Sequence, residues 1–140
     1  LSILTPAFGK QPTTFIPQNG YGYGYGYCDC RTPGYWKNHP WPVDGITIGG
    51  TYYPIVQAQA LMNASGSGDK TYTMFEQLVA AKLNVIMGCE DSCIDDYIDD
   101  ADDWMHDYPI DSGVSGDDPA WDVGEPIKDM LDDYNNGILC

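Results

Sequence analysis

The sequence predicts one α+β domain, predominantly helical, with about four helices, a small β-hairpin and an extended N-terminal arm. Three observations carry this. From residue 54 onward, apolar residues recur at the three- and four-residue spacing of helices. A glycine pair, Gly49-Gly50, separates two short runs rich in Ile, Thr and Tyr, the pattern of a tight hairpin. Residues 1–27 hold three prolines and a strict Tyr/Gly alternation from Tyr21 to Tyr27, which no helix survives. At 140 residues and 43% hydrophobic, the chain can build one packed core but not two.

The arm, residues 1–27, carries apolar clusters at Ile3, Leu4, Phe8, Phe15 and Ile16. Period-two alternation places Tyr21, Tyr23, Tyr25 and Tyr27 on one face of an extended strand and bare glycine on the other. Two readings compete: a flexible linker, or an assembly arm held by another surface. Ordering costs roughly 1–2 kcal/mol of backbone entropy per residue, so an ordered arm requires its own body or a neighbouring molecule to dock on.

The body, residues 28–140, is expected to be a disulfide-stapled globular domain. It opens at Cys28-Asp29-Cys30. Residues 31–43 contain three prolines and Tyr35, Trp36 and Trp41, predicting a packed irregular segment without regular helix. The hairpin follows over Ile46–Tyr53. A first, short helix runs from Pro54 through Ile55, Ala58, Leu61 and Met62 to Ser65-Gly66. A second opens at Asp69 or Thr71 and stops before Gly88; it is apolar nearly all round, as a central helix is. The third, Cys93 to Tyr108, sets Ile94, Tyr97, Ile98, Ala101, Trp104 and Tyr108 on one face and aspartates on the other. The fourth starts at Glu125-Pro126, presents Ile127, Met130, Leu131 and Tyr134, and ends at Asn136-Gly137.

The run Thr32-Pro-Gly-Tyr-Trp-Lys-Asn-His-Pro40, then Trp41-Pro42-Val43, Ile46-Thr-Ile-Gly-Gly50, Gln77-Leu-Val-Ala-Ala-Lys-Leu-Asn-Val85 and Tyr134-Asn-Asn-Gly137 resembles a domain of bacterial and archaeal secreted and cell-surface proteins. The resemblance covers about residues 30–137. That family is an uncharacterised module, so the resemblance implies a location and brings no catalytic residue. The arm and the acidity of the third helix lie outside the shared pattern.

Charge narrows the function classes. Six Lys+Arg against 21 Asp+Glu give a net charge of −15, which repels phosphate backbones and anionic lipid. Nucleic-acid binding and membrane insertion are therefore not expected. The acid is concentrated: residues 1–89 hold 4 acidic and 5 basic side chains, residues 90–140 hold 17 and one. No apolar stretch approaches the roughly 20 residues that span a bilayer. With eleven Tyr, sixteen Gly and five Cys, the expectation is an extracellular chain from which a signal peptide has been removed.

Cys28, Cys30, Cys89, Cys93 and Cys140 lack the usual spacing of a zinc knuckle, which favours disulfides. Two bridges from the Cys28/Cys30 pair to the Cys89/Cys93 pair are geometrically natural. Cys140 is then left over, with three fates: a free thiol, displacement of one of the other four, or a bridge between subunits. The acidic third helix is either a solvated face or a divalent-cation surface. Asp111, Asp117, Asp118 and Asp122 half-match a twelve-residue calcium loop, making Ca²⁺ the cofactor considered; no organic cofactor is expected. Asn63 heads a glycosylation sequon, Asn63-Ala-Ser65. His39 and His106 have no nucleophile set beside them by any motif, so no enzyme is expected.

The leading expectation is a structural subunit of an extracellular filament, joined to copies of itself in a helical or linear polymer by its arm, through strand addition or groove insertion. The alternative is a calcium-dependent adhesion or carbohydrate-binding module on the cell surface, with glycans as partners.

Overall fold

A computed structural model describes residues 29–64 and 66–140. Among these, five helices and one two-stranded antiparallel hairpin follow in the order α1 (Pro33–Trp36), β1 (Gly45–Ile48), β2 (Thr51–Pro54), α2 (Ile55–Asn63), α3 (Lys70–Ile86), α4 (Asp95–Asp107) and α5 (Pro119–Asn135). A 3₁₀ turn, Gly66–Gly68, links α2 to α3. The helical α+β class expected from periodicity is the class observed.

α3 is the axis. Its N-cap Asp69 accepts from the Thr71 N–H, and Met74, Phe75, Leu78, Val79, Ala80, Ala81 and Leu83 are all buried. Helices α1, α2, α4 and α5 and strand β1 pack against it, so a helix apolar on nearly every side is surrounded on nearly every side. The hairpin lies across one flank with Ile46, Ile48 and Tyr53 turned inward, and Tyr53 meets Phe75 edge to face at 5.0 Å. Its turn is the glycine pair, with φ of +60° at Gly49 and +88° at Gly50, setting Ile48 opposite Thr51. Gly49 also lies against α4: a Cβ there would stand 2.7 Å from the Met105 carbonyl carbon. The Gly49 N–H donates to Asp102 at 2.9 Å, and Lys82, buried in α3, pairs with Asp102 and donates to the Thr47 carbonyl at 2.7 Å. One buried cation thus ties hairpin, axis and acidic helix together.

α4 turns Ala101, Trp104 and Met105 inward and most of its aspartates outward, as its spacing predicts. Asp95 and Asp96 occupy its first turn, where the helix dipole favours negative charge.

Two expectations are corrected. Residues 31–43 are not wholly irregular: Thr32 caps a single turn, α1, with Pro33 at its first position, where the missing N–H costs nothing. The last helix starts six residues earlier than Glu125, at Pro119, because Asp118 caps it and accepts from the Ala120 N–H at 2.8 Å. Pro126 is interior to α5 instead of opening it. It and Asp122, four residues back, are both on the exposed side, so the Asp122 carbonyl that Pro126 cannot bond faces water.

Candidate functional site

The segment that leads out of the body toward the arm is held by buried amides. Asn84, fully buried on α3, uses its whole hydrogen-bonding capacity. Its Oδ1 accepts from the Arg31 N–H at 2.9 Å and the Trp36 indole N–H at 3.1 Å. Its Nδ2 donates to the Arg31 carbonyl at 2.9 Å and to Asn135 Oδ1 at 3.0 Å. Asn135, also fully buried, donates in turn to the backbone carbonyl and to Oε1 of Gln77, at 3.0 and 2.9 Å. A network with every group satisfied is rigid, and this one fixes residue 31 against both α3 and α5.

Beside it opens a groove of about 550 Å³ lined by Cys30, Cys89, Glu90, Tyr134 and Cys140. Tyr134 donates to the Glu90 carbonyl at 2.8 Å, and burial, with Cys30 and nearby carboxylates adding to it, pushes its hydroxyl far above the usual range. Cys93 is bridged to Cys140 with a Cα–Cα distance of 5.9 Å, which fastens the C-terminus to the loop before α4. Cys89 is also disulfide-bonded. Cys30 is a free, half-buried thiol, raised in pKa by burial and then by Asp29. Cys28 lies outside the described residues. The expected bridge from Cys30 to the Cys89/Cys93 pair is therefore corrected: Cys140 displaces Cys30, because Gly137 turns the chain after α5 with φ of +75° and brings the last residues back toward Cys93.

At the opposite end of α5 a second groove, about 340 Å³, runs between α4 and α5. Trp104, Tyr108, Val123 and Ile127 give it apolar walls, and Asp100, Asp103 and Asp107 stand along its rim. Trp104 is fixed from three sides. Its indole donates to the Ala120 carbonyl at 2.9 Å, Trp121 packs edge to face at 5.6 Å, and Gly124 lies so close that a Cβ would stand 2.8 Å from the ring.

The acids of the half-matched calcium loop have separate engagements. Asp111, with φ of +74°, accepts from the Tyr72 hydroxyl at 2.5 Å. Asp117 accepts from Ser115, Asp118 caps α5, and Asp122 is exposed in its first turn. Among the described residues no three His, Cys, Asp or Glu side chains are grouped so as to hold a metal ion. The loop is instead organised by Asp69, which sequence reading treated only as a helix opener. Its carboxylate accepts from Thr71 N–H and Oγ1, Gly113 N–H and Val114 N–H at 2.8–3.2 Å. Burial alone would raise its pKa; those four hydrogen bonds outweigh it and leave the carboxyl below its ordinary range.

The remaining candidates are dispersed. His39 stacks on Tyr35 at 3.8 Å and approaches its carbonyl at 2.7 Å, while His106 is exposed on α4. Asn63 is exposed at the end of α2, its amide donating to the Gln59 carbonyl; Ser65 of the sequon lies outside the described residues. Ile3, Leu4, Phe8, Phe15, Ile16, Tyr21, Tyr23, Tyr25 and Tyr27 also lie outside them. No helix among the described residues is long and apolar enough to cross a membrane.

No family model, no curated protein and no solved structure matches the chain.

Proposed function

We propose that the protein is a structural subunit of an extracellular filament, polymerising through its N-terminal arm, with no catalytic role. The observation that carries this reading is the continuous core of the body, next in sequence to an arm rich in apolar residues and tyrosine. Trp36 through Tyr134 form one continuous buried cluster to which all five helices and both strands contribute. Residues 1–27 carry large apolar side chains and four tyrosines, a composition that suits docking on a second copy. The Cys93–Cys140 bridge supports an oxidising, extracellular setting.

The test is sedimentation and negative-stain microscopy of the full chain beside a chain lacking residues 1–27. Filaments from the first and folded monomers from the second are expected. A full chain that stays monomeric at millimolar concentration overturns the reading.

A further inference from the structure

The two ways an arm can dock, as an added strand or in a groove, are not equally served by this body. Across a two-residue turn the hydrogen-bonded pairs are Ile48 with Thr51 and Ile46 with Tyr53, so the backbone groups of Thr47 and Tyr52 turn outward. On the β1 edge, the Thr47 carbonyl is already taken by Lys82 and the next amide along, Gly49, by Asp102. On the β2 edge, Tyr52 is followed two residues on by Pro54, which has no N–H to give. One residue of free ladder cannot hold a strand.

The α4–α5 groove offers what the hairpin lacks. Its walls are apolar and include Val123, 63% exposed in the second turn of α5. Its rim of Asp100, Asp103 and Asp107 is anionic and can only accept hydrogen bonds. Residues 1–27 are its chemical complement. They contain no acidic residue and one cation, Lys10, adjoining Phe8-Gly9, and they carry four tyrosine hydroxyls. The position of the groove, away from the point where the arm begins, suits a head-to-tail contact. The arm leaves the body beside Asn135 and Tyr134, at the C-terminal end of α5, whereas the groove is built on Ala120, Val123 and Ile127 near its N-terminal end. From Val123 to Tyr134 the helix advances roughly 16 Å, a span that 27 extended residues also bridge within one chain. It is therefore mixed-isotope crosslinking that separates a neighbour's arm from the chain's own. A donor at one end and a receptor at the other make a heterologous contact, which propagates instead of closing.

We infer that the groove between α4 and α5 receives residues 1–27 of a second copy, with the Phe8-Gly9-Lys10 stretch against its aspartate rim, so that subunits join head to tail. This rests on the filament reading and assigns its receptor surface.

The experiment places a photo-crosslinking residue at position 123 of the full chain and mixes ¹⁴N- and ¹⁵N-labelled protein before irradiation. Mixed-isotope crosslinks from position 123 to residues 1–27 are expected. In parallel, Asp103→Lys should raise the concentration needed for polymerisation at least tenfold, and adding Lys10→Asp to it should restore most of the loss. Val56→Asp, at a site 79% exposed and away from the groove, should change nothing. All these positions are exposed or in the arm, and unchanged melting temperatures will show that folding is intact. Crosslinks confined to single chains, or to segments other than the arm, overturn the inference. If deleting the arm abolishes filaments while Asp103→Lys does not weaken them, the groove assignment falls and the filament reading stands. If the full chain forms no filaments, both fall.

Discussion

The two ends of α5 are held by opposite kinds of chemistry. Around its C-terminal end, Asn84, Asn135 and Gln77 form a buried network of neutral amides, reinforced by the Cys93–Cys140 bridge. Around its N-terminal end, order comes from carboxylates: Asp118 caps the helix, and Asp69 gathers the backbone of the loop between α4 and α5. Neutral amides do not titrate, so this network does not itself respond to pH. Carboxylates lose their acceptor power on protonation, so the second end is conditional. The contrast shows that a net charge of −15 says little about what fixes the point where the arm begins, and a good deal about what shapes the groove proposed to receive it.

The sharpest break of this contrast is Asn84→Leu. It leaves the buried Trp36 indole N–H and Asn135 Oδ1 without partners, at roughly 2 kcal/mol each, so a loss of about 4 kcal/mol is expected. Denaturant melts at pH 7 and pH 4 should give the same deficit. Next comes Cys93→Ser, which opens a loop spanning 47 residues and should lower stability by about 3 kcal/mol, read as a fall in urea midpoint. At the acidic end, Gly124→Ala tests packing against propensity. Alanine ordinarily helps a helix by about 1 kcal/mol, but here its Cβ meets the immobile Trp104 ring, and a net loss of about 1–2 kcal/mol is expected in thermal melts.

The smallest effect is the most diagnostic. Asp69→Asn keeps a capping oxygen but sets an NH2 group against the Gly113 N–H that Oδ2 accepted, and should cost about 1 kcal/mol at pH 7. The Asp69 pKa is depressed in the folded chain, so its contribution is complete above the unfolded value of about 3.9 and is lost as pH falls through the lower folded value. The gap between wild type and Asp69→Asn should therefore narrow below pH 4. A gap of constant size down to pH 2 would show that the carboxylate's charge is not what organises the loop.

Much of the fold was legible because periodicity and turn chemistry agreed. The glycine pair in the hairpin, the apolar α3 and the one-sided α4 stand within a residue or two of where the sequence puts them. The start of α5 was misread because Pro126 has the signature of a first helical residue, and so does Pro119. Only the Asp118 side chain, bonded to the Ala120 N–H, distinguishes the true cap, and an aspartate before a proline is equally common in turns. The amide network left a fainter signal: Asn84 sits in an otherwise apolar run, where a polar residue needs buried partners. Those partners, Arg31, Trp36 and Asn135, lie 48 to 53 residues away, and no local pattern joins them. The pairing of Cys140 with Cys93 was one of several connectivities spacing allows, and the return of the chain after Gly137 selects it.

Asn84 has a mechanical consequence. Tension that reaches Arg31 does not peel a surface strand away one bond at a time. It enters at the Arg31 N–H and carbonyl, both clasped by one side chain, and passes at once into the middle of the domain, to α3 directly and to α5 through Asn135. Both bonds are made to one buried side chain, so a load on residue 31 is shared between two helices from the start. A domain anchored in this way can be pulled by its N-terminal end without first being unravelled from it.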